Sequence, residues 1–344
     1  MTLSEKKEYA AVDFFKFFCA ILVIIIHTKP FDSVFWIDGA IGLVTRFAVP
    51  YFFASSAFFL FRKLRNAKKS DQWKIYGQYV LRLVRFYFIW YVIHAAVNAL
   101  LSGTVFSAGY YLRQFFLSSN GSPLWFLCAL IWASFFVFVL SRKLGKKVVF
   151  GISLVFWVIG YCLSTLAPLF SGTAVYQWLI NYVVRYIAIQ NGLFFAFPYI
   201  ALGLLLSETE VTENRKRDIL GIILSFILLM AESLTAVKVV GSSLTFLWLA
   251  ALPLAYFTLH LTLSLSLKGS TPGYYLRKSS TLVYVLHVPI MKLTDFLFAQ
   301  SGLAGLDRFH LLRFFAVTVI SVLLAFALVS CAKRKGFRFL KYIM

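Results

Sequence analysis

Acidic residues are scarce in this sequence, and charge of either sign is low. Asp and Glu number 13 against 34 Lys and Arg, and charged residues make up 14% of the 344 positions, where soluble globular proteins carry about 25%. Hydrophobic residues reach 61% and the mean hydropathy is +0.82, which excludes a soluble globular domain and indicates a polytopic membrane protein. The net charge of +21 is divided into short clusters between apolar runs. Because the charge does not gather on one face, we expect no nucleic-acid partner.

Cysteines are few, and several familiar catalytic motifs are missing. The four cysteines, Cys19, Cys128, Cys162 and Cys331, lie in apolar runs without metal-ligand spacing, so we expect no metal site. The sequence has no Walker loop, no Gly-x-Gly-x-x-Gly placed after a strand and no Gly-x-Ser-x-Gly elbow. We expect no cleavable signal peptide, because the first apolar run is long, charged and without a small-residue cleavage site. No strong internal repeat is evident, which removes one pointer to a transporter.

Ten apolar runs predict an all-α, polytopic membrane helical bundle of about ten transmembrane helices, in a single domain covering 1–344. The predicted spans are 11–29, 40–62, 79–101, 123–140, 148–166, 193–206, 218–237, 243–267, 280–299 and 309–332. With the N-terminus inside, the inner segments hold 23 of the 34 Lys and Arg, and the outer segments hold five. The positive-inside rule therefore predicts that both termini are cytoplasmic.

The first span carries three ionisable residues on one stripe of its helix. Asp13 lies one turn before Lys16, and the 11 steps from Lys16 to His27 amount to about 1100°, close to three whole turns. At about 1.5 Å per residue, Lys16 and His27 stand roughly 16 Å apart along the axis. Ionisable groups inside a membrane are costly and face the bundle interior or a wet cavity, so we expect the other helices to surround this stripe.

Each residue of the stripe has a functional and a structural interpretation. His27, near the outer end, is either a general base or acyl-transfer residue, or an interfacial histidine bonded to water. Lys16 either binds an anion arriving from the cytoplasm, or reaches towards headgroups with Asp13 as its partner. Sharing one stripe favours a function for His27 and leaves the alternatives for Lys16 open.

Three arginines and a tryptophan in the next spans are further candidates. Arg82 and Arg85 open the third span from the inside, one turn apart, and either clamp phosphates or anchor the helix. Arg46 stands several residues into the second span on the outer side, where we expect it to face a cavity or a carboxylate. Trp125 begins the fourth span and either lines a substrate cleft or belongs to the aromatic belt.

The ninth span contains a histidine close to other ionisable residues. His287 lies in YVLHVPIM, and Lys292 and Asp295 follow it at a spacing that predicts an i, i+3 pair. His94 and His260 are single histidines in apolar runs, and we expect both to be hydrogen-bonded core residues.

The residues together describe a cationic inner site, a histidine further out on the same helix, and a cavity that we expect to join them. This arrangement suits an enzyme that takes a donor from the cytoplasm and an acceptor from the membrane or the outer face. It also suits a multi-pass transporter or flippase for an amino acid or an envelope intermediate. A non-catalytic membrane partner of an envelope enzyme is a third interpretation.

Five motifs follow one another along the chain: VDFFKFFCAILVIIIHTKPF, VPYFFASSAFFL, YVLRLVRFYFIWYVI, PLWFLCALI and YVLHVPI. In this order they resemble the acyltransferase-3 family of bacterial integral membrane acyltransferases. The segment NGLFFAFPYIALG and the continuation HTKPF look most similar to the branch that includes the membrane domain of vancomycin-resistance serine racemases, and the chain also resembles envelope O-acetyltransferases. The similarity covers nearly the whole chain.

The resemblance implies transfer of an acyl group, usually acetyl from the co-substrate acetyl-CoA, to a hydroxyl of a glycan or other cell-envelope acceptor. On that basis His27 is expected to be catalytic, and Lys16, Arg82 and Arg85 to hold the anionic CoA. Asp13 alone fits a structural partner of Lys16 better than a catalyst, but because it shares the stripe with His27 we assign it to the catalytic residues as well. The resemblance also implies a location in the bacterial cytoplasmic (inner) membrane.

We assign three further residues, Arg46, Trp125 and His287, to the binding of the acceptor, and we expect no metal.

The chain departs from the family pattern where Lys16 replaces a frequent Arg, which keeps the charge but loses the bidentate fork. It also has Ala57 where the second span usually has Gly, which is expected to tighten packing slightly. A racemase or esterase-like domain often follows in relatives. Because this chain ends at Met344, an envelope partner protein is expected to complete the transfer.

Overall fold

The computed structural model describes residues 9–32, 35–103, 105–117, 123–184, 188–240, 247–265, 271–302 and 309–344. Within these ranges the chain consists of helices and the turns that connect them, with no strand. The prediction of an all-α protein is confirmed.

Fourteen α-helices follow one another along the described ranges. They are α1 (Ala10–Thr28), α2 (Phe35–Thr45), α3 (Ala48–Arg65), α4 (Gln72–Ser102), α5 (Ala108–Leu117), α6 (Trp125–Leu144), α7 (Lys146–Ser164), α8 (Ala167–Phe170), α9 (Ala174–Leu179), α10 (Phe197–Glu208), α11 (Arg215–Val240), α12 (Ala251–Ser264), α13 (Thr271–Gln300) and α14 (Phe309–Cys331). Two π-helical turns, Ile180–Val184 and Gly192–Ala196, precede α10. The 3₁₀ stretch Lys335–Ile343, with the terminal Met344, forms a tail segment after α14.

The membrane-spanning pattern agrees with the sequence. Eight helical stretches of the described residues are long and apolar enough to cross a bilayer. Two shorter apolar helices, Gly192–Glu208 and Ala251–Ser264, stand where the sixth and eighth spans are predicted. The protein is therefore a polytopic membrane helical bundle, and the prediction of about ten spans is confirmed. The inner and outer sides of the bundle are those of the predicted orientation, with a cytoplasmic N-terminus.

The predicted second span, 40–62, is matched by the apolar stretch Gly39–Arg65, but it is not one continuous helix. It is divided between α2 and α3 by a turn at Arg46 and Phe47. Pro50 lies in the first turn of α3, where its missing N–H costs nothing. In a continuous helix, Pro50 would clash with the carbonyl of Arg46, so the chain restarts the helix instead. Arg46 consequently occupies a turn.

Helix α1 ends at Thr28, one residue after His27, for a local reason. Lys29 adopts a left-handed conformation with φ of 45°, and its backbone N–H donates to the Ile25 carbonyl at 2.9 Å. Pro30 follows, and a proline disfavours the helical conformation of the residue before it. The sequence His-Thr-Lys-Pro therefore fixes His27 in the last turn of α1.

Helix α1 is surrounded as its charged stripe predicts. It packs against α3, α12, α13 and α14. Ala20 and Val23, which lie on the stripe between Lys16 and His27, are buried. The stripe therefore faces protein along its length.

Helices α3 and α10 cross closely at Gly203. A Cβ atom at this position would stand 2.6 Å from the Cβ of Ala57 and 2.9 Å from the backbone nitrogen of Phe58. Small residues on facing helices permit such approaches in membrane proteins. Ala57 thus lies in a tight helix crossing.

Candidate functional site

The outer end of α1 presents His27 in a defined orientation. Its Nδ1 lies 2.8 Å from the Val23 carbonyl one turn earlier. A carbonyl oxygen only accepts hydrogen bonds, so Nδ1 carries the hydrogen and Nε2 of the neutral ring keeps its lone pair. The half-buried ring is thereby held as a proton acceptor at Nε2.

A second histidine, His287 of α13, faces His27. The two ring centroids are 4.9 Å apart. His287 Nδ1 lies 2.6 Å from the Tyr284 carbonyl, so this ring too keeps its lone pair on Nε2. His287 is fully buried, and its Nε2 has no hydrogen-bond partner among the described residues. The structure therefore brings together two of the predicted site residues, one from α1 and one from α13.

The Leu-His-x-Pro sequence around His287 also explains the position of His94. Pro289 has no N–H, so the Val285 carbonyl four residues earlier lacks its helical donor. His94 Nε2 on α4 lies 2.9 Å from this carbonyl and donates to it. The prediction that His94 is a hydrogen-bonded core residue is confirmed.

The start of the Pro-Leu-Trp-Phe motif is held close to the histidine pair. The Tyr284 hydroxyl donates to the Pro123 carbonyl at 2.7 Å, and the Tyr284 ring packs on Phe126 with centroids 5.4 Å apart. Trp125 packs against Phe195, with centroids 5.4 Å apart. Trp125 is half-buried in this aromatic cluster, and its role towards a substrate stays a prediction.

Charged side chains lie on α13 and α14 beyond the histidine pair. The Arg313 guanidinium donates to Asp295 at 2.7 Å and is close enough to His27 to act on it electrostatically. Lys292 donates to the Asn98 side chain of α4. The predicted i, i+3 pair between Lys292 and Asp295 is therefore wrong, because neighbouring helices supply a partner to each residue.

Asp13 is buried at the inner end of α1, but its partner is not Lys16. Arg277 of α13 donates to its two carboxylate oxygens, with Nε–O distances of 3.0 Å and an Nη2–O distance of 2.7 Å. The Lys16 ammonium lies 5.4 Å from the centre of the Phe59 ring instead. The expected Asp13–Lys16 pair is wrong, because α13 brings a guanidinium fork to the carboxylate.

Asp13 and His27 do not share one site. They are 14 residues apart on one helix, which is roughly 21 Å along the axis. The structure therefore places Asp13 with Arg277 at the inner end of α1, and His27 with His287 at its outer end. The predicted catalytic role of Asp13 stays a prediction.

Cations of several elements meet near the inner end of α13. Half-buried Lys278 lies within electrostatic reach of Arg82, Arg277 and Lys341, and Arg277 is likewise close to Lys16. Asp13 is the carboxylate that the described residues place here, and Arg277 already binds it. We call Lys16, Arg82, Arg85, Lys278 and Lys341 the inner cations.

Aromatic rings hold the two predicted CoA-binding arginines. The Arg85 guanidinium lies 4.5 Å from the centre of the Tyr342 ring of the tail segment. The Arg82 guanidinium lies 5.9 Å from the centre of the Tyr79 ring. Both arginines are exposed.

Arg46 packs on an aromatic ring rather than on a carboxylate. Its guanidinium lies 5.9 Å from the centre of the ring of Trp248, which precedes α12 by three residues. No carboxylate lies within ion-pair distance of it in the parts of the chain that the structure describes. Its predicted role in acceptor binding stays a prediction.

A second buried polar cluster joins α11 and α12 on the inner side. His260 Nδ1 lies 2.7 Å from Asp218, and Arg217 donates to the other carboxylate oxygen at 2.7 Å. Both oxygens of this carboxylate are thereby satisfied within the cluster. The cluster therefore has the character of a structural contact that holds α11 and α12 together. The prediction of His260 as a hydrogen-bonded core residue is confirmed.

A cavity of about 380 Å³ lies apart from the histidine pair, between α7 and α11. Its lining is mainly apolar and includes Tyr161, Thr165, Leu228 and Glu232. The Glu232 carboxylate accepts from the backbone N–H groups of Leu249, at 2.7 Å, and Ala250, at 3.0 Å. Glu232 thus caps the start of α12.

Sequence reasoning missed the contributions of Arg277, Lys278 and Lys341 to the inner site. All three were visible only as part of the positive-inside signal, which many cations of such a protein share. The available hint is that Arg277 and Lys278 stand at the beginning of the same span as His287. The tail segment carries no comparable signal.

A family model described as an acyltransferase domain matches residues 9–330. Two amino-acid racemases of Enterococcus faecalis are similar to the chain. One is 25% identical over 248 residues, covering 68% of this chain and 33% of that protein. The other is 26% identical over 213 residues, covering 58% of this chain and 29% of that protein.

A serine/alanine racemase of Enterococcus gallinarum is 23% identical over 228 residues, covering 64% of this chain and 32% of that protein. The chain thus spans about a third of the length of the curated relatives it matches. No solved structure matches it at a significant level.

Proposed function

Because this chain belongs to the acyltransferase-3 family and is a multi-pass membrane acyltransferase, we propose that it moves an acyl group from cytoplasmic acyl-CoA to a hydroxyl of a cell-envelope acceptor. Acetyl is the expected acyl group, and a glycan is the expected type of acceptor. The protein would act in the bacterial cytoplasmic membrane, with both termini inside. The racemase activity in the relatives' names belongs to proteins about three times as long as the matched stretch, and we do not assign it to this chain.

The observation that carries this proposal is the set of inner cations. Lys278 is half-buried beside three other cations, and like charges in a partly buried place repel one another. The nearby carboxylate, Asp13, is already bound by Arg277. A ligand with several phosphates would offset this repulsion, and CoA is such a ligand. Lys16, Arg82 and Arg85 would then hold its phosphates, as the resemblance implies.

The outer end of the same helix supports the proton transfer. With Nδ1–H bound to the Val23 carbonyl, His27 offers Nε2 as the base that takes the proton of the acceptor hydroxyl. The hydroxyl oxygen can then form its bond to the acyl carbon, the bond to the CoA sulfur breaks, and His27 returns the proton to that sulfur. Direct transfer and a brief acyl-histidine both use this lone pair, and both remain open.

The other predicted residues fit the acceptor side. His287 faces His27 with a buried, unpartnered Nε2, which suits a hydrogen bond from the acceptor. Arg46 and Trp125 would act further out along the acceptor's path. In this proposal Asp13 serves the donor side, because it holds Arg277 in place.

The experiment that tests the proposal is CoA release from acetyl-CoA by the detergent-purified protein, with envelope extract as the acceptor mixture. The extract should stimulate release by wild type, and His27→Ala should lower the stimulated rate by about 10²–10⁴-fold, the usual contribution of a general base. Donor binding by the variant, measured by equilibrium dialysis, should stay within about twofold, since the inner cations are intact. Release that survives in His27→Ala would overturn the role of His27.

The same assay separates the main alternative. A transporter or flippase for an amino acid or envelope intermediate would neither bind acetyl-CoA nor release CoA. Binding of acetyl-CoA without release would support the donor site and indicate that the acceptor, or an envelope partner protein, is missing from the mixture.

A further inference from the structure

The tail segment folds back onto α4 rather than leading away from the bundle. The indole N–H of Trp90 donates to the Ile343 carbonyl at 3.1 Å, and Trp90 itself is buried. Leu340 of the tail is 8% exposed, and Met344 packs against the hydrophobic core. The segment is therefore attached both by a hydrogen bond and by apolar burial.

This attachment places an aromatic ring on a donor-site arginine. The Tyr342 ring centre lies 4.5 Å from the Arg85 guanidinium carbon. A guanidinium whose face is covered by a ring keeps its N–H donors free at the edge, where a phosphate can accept them. Tyr342 thus restricts Arg85 without consuming its hydrogen-bonding capacity.

The same segment adds a positive charge to the inner cations. Lys341 is exposed and directly precedes Tyr342, whose ring lies on Arg85, and its charge acts on half-buried Lys278. No carboxylate lies within ion-pair distance of Lys341 in the described part of the chain. The tail segment therefore increases the positive potential beside α4 and α13 instead of neutralising it.

We infer that the tail segment forms one wall of the acyl-CoA site, with Lys341 as a phosphate-binding residue and Tyr342 as the positioning residue for Arg85. The inference rests on the proposed acyl-CoA donor. It goes beyond that proposal because it assigns donor binding to a segment outside the membrane-spanning helices and outside residues 9–330.

The test measures binding of two probes to the detergent-purified full chain: acetyl-CoA, and S-acetyl-pantetheine, which lacks the phosphates. Lys341→Gln should raise the Kd of acetyl-CoA by about 10- to 100-fold, as expected for the loss of one charge-assisted hydrogen bond. It should leave the Kd of S-acetyl-pantetheine unchanged. The Kd of acetyl-CoA should also become less sensitive to salt in this variant.

Tyr342 is tested by two substitutions with opposite expectations. Tyr342→Ala should raise the Kd of acetyl-CoA by about two- to fivefold, as expected for an exposed cation–π contact. Tyr342→Phe should restore wild-type binding, because phenylalanine also presents an aromatic face. A purely structural role of the hydroxyl would not give this pattern.

Two matched controls exclude general effects of charge and of the tail. Lys147→Gln removes an exposed cation of α7, and Phe339→Ala removes a ring of the tail segment that is 59% exposed. Neither should change the Kd of acetyl-CoA. Wild-type affinity for acetyl-CoA in both Lys341→Gln and Tyr342→Ala would overturn the role of the tail alone. A wild-type protein that binds no acetyl-CoA would overturn the donor proposal and the tail's role with it.

Discussion

Pro289 leaves a buried carbonyl oxygen without its helical hydrogen-bond donor, so that a residue of another helix must supply one. By leaving the Val285 carbonyl without its helical donor, it gives His94 a partner on another helix. His287, two residues before the proline, faces His27 instead. The Leu-His-x-Pro sequence thus joins a structural position and a candidate site within three residues.

We predict that His94→Leu lowers the free energy of unfolding by about 1–3 kcal/mol, because a buried carbonyl loses its donor. The double variant with Pro289→Ala should lose less, since the alanine N–H at position 289 can donate to Val285. Thermal unfolding of the purified single and double variants, with Pro289→Ala alone as the control, checks this. Equal losses in the single and double variants would show that the carbonyl does not set the role of His94.

The sequence predicted residue types better than it predicted residue partners. Asp13, Lys16, His27 and His287 were identified because ionisable residues within apolar runs are rare and costly. The partner of Asp13 is Arg277, 264 residues later, while the sequence offered Lys16 one turn away. Local spacing describes only the helix that carries a residue, and here α13 supplies the stronger partner.

The crossing of α3 and α10 depends on the missing side chain of Gly203. We predict that Gly203→Ala destabilises the protein by about 1–3 kcal/mol, because the added methyl group meets the backbone of α3 and the helices must separate. Gly151→Ala on α7 is the matched control, since nothing lies within 4 Å of a Cβ there. Thermal unfolding should rank the control at or above wild type, because alanine is the better helix former. A Gly203→Ala protein as stable as the control would contradict the close crossing.

Helices were predictable from the sequence where an apolar run is long and uninterrupted, as in α1 and α14. The division between α2 and α3 was not, although Pro50 marks it, because a proline in a membrane span often only kinks a helix. Helix α5 was also missed. It is ten residues long and amphipathic, and it lies in a stretch that reads as a polar loop.

For the whole molecule, the uneven distribution of 34 Lys and Arg predicts orientation. In a variant whose four native cysteines are replaced by serine, we predict that Arg113→Cys reacts with a membrane-impermeant thiol reagent in intact cells. Lys147→Cys should react only after the membrane is opened. Both positions are exposed, so access and not burial decides the result. Labelling of Lys147→Cys in intact cells would show that the orientation is the opposite one. The inner cations would then face away from the cytoplasm, where the proposed acyl-CoA donor is found.

The sequence also predicted which segments form the membrane bundle, but it did not predict that the tail segment packs back against it. The tail segment has too few residues to predict a return to α4. Its attachment includes the hydrogen bond from buried Trp90 of α4 to the Ile343 carbonyl, 253 residues later in the chain. Contacts between segments that are hundreds of residues apart form only in the folded chain.

Helix α1 also fixes the distance between its two functional candidates, Lys16 and His27. A hydrogen-bonded helix neither stretches nor slips against itself, so the 11 steps along it keep Lys16 and His27 about 16 Å apart. In the proposed reaction, a carrier bound at Lys16 must therefore present its reactive carbon at that distance from the lysine. One inserted residue between them would rotate the imidazole by about 100°, away from His287, while changing the height by only about 1.5 Å. In the proposed reaction, the number of residues between Lys16 and His27 thus sets the length of the carrier that can be bound at one residue and react at the other.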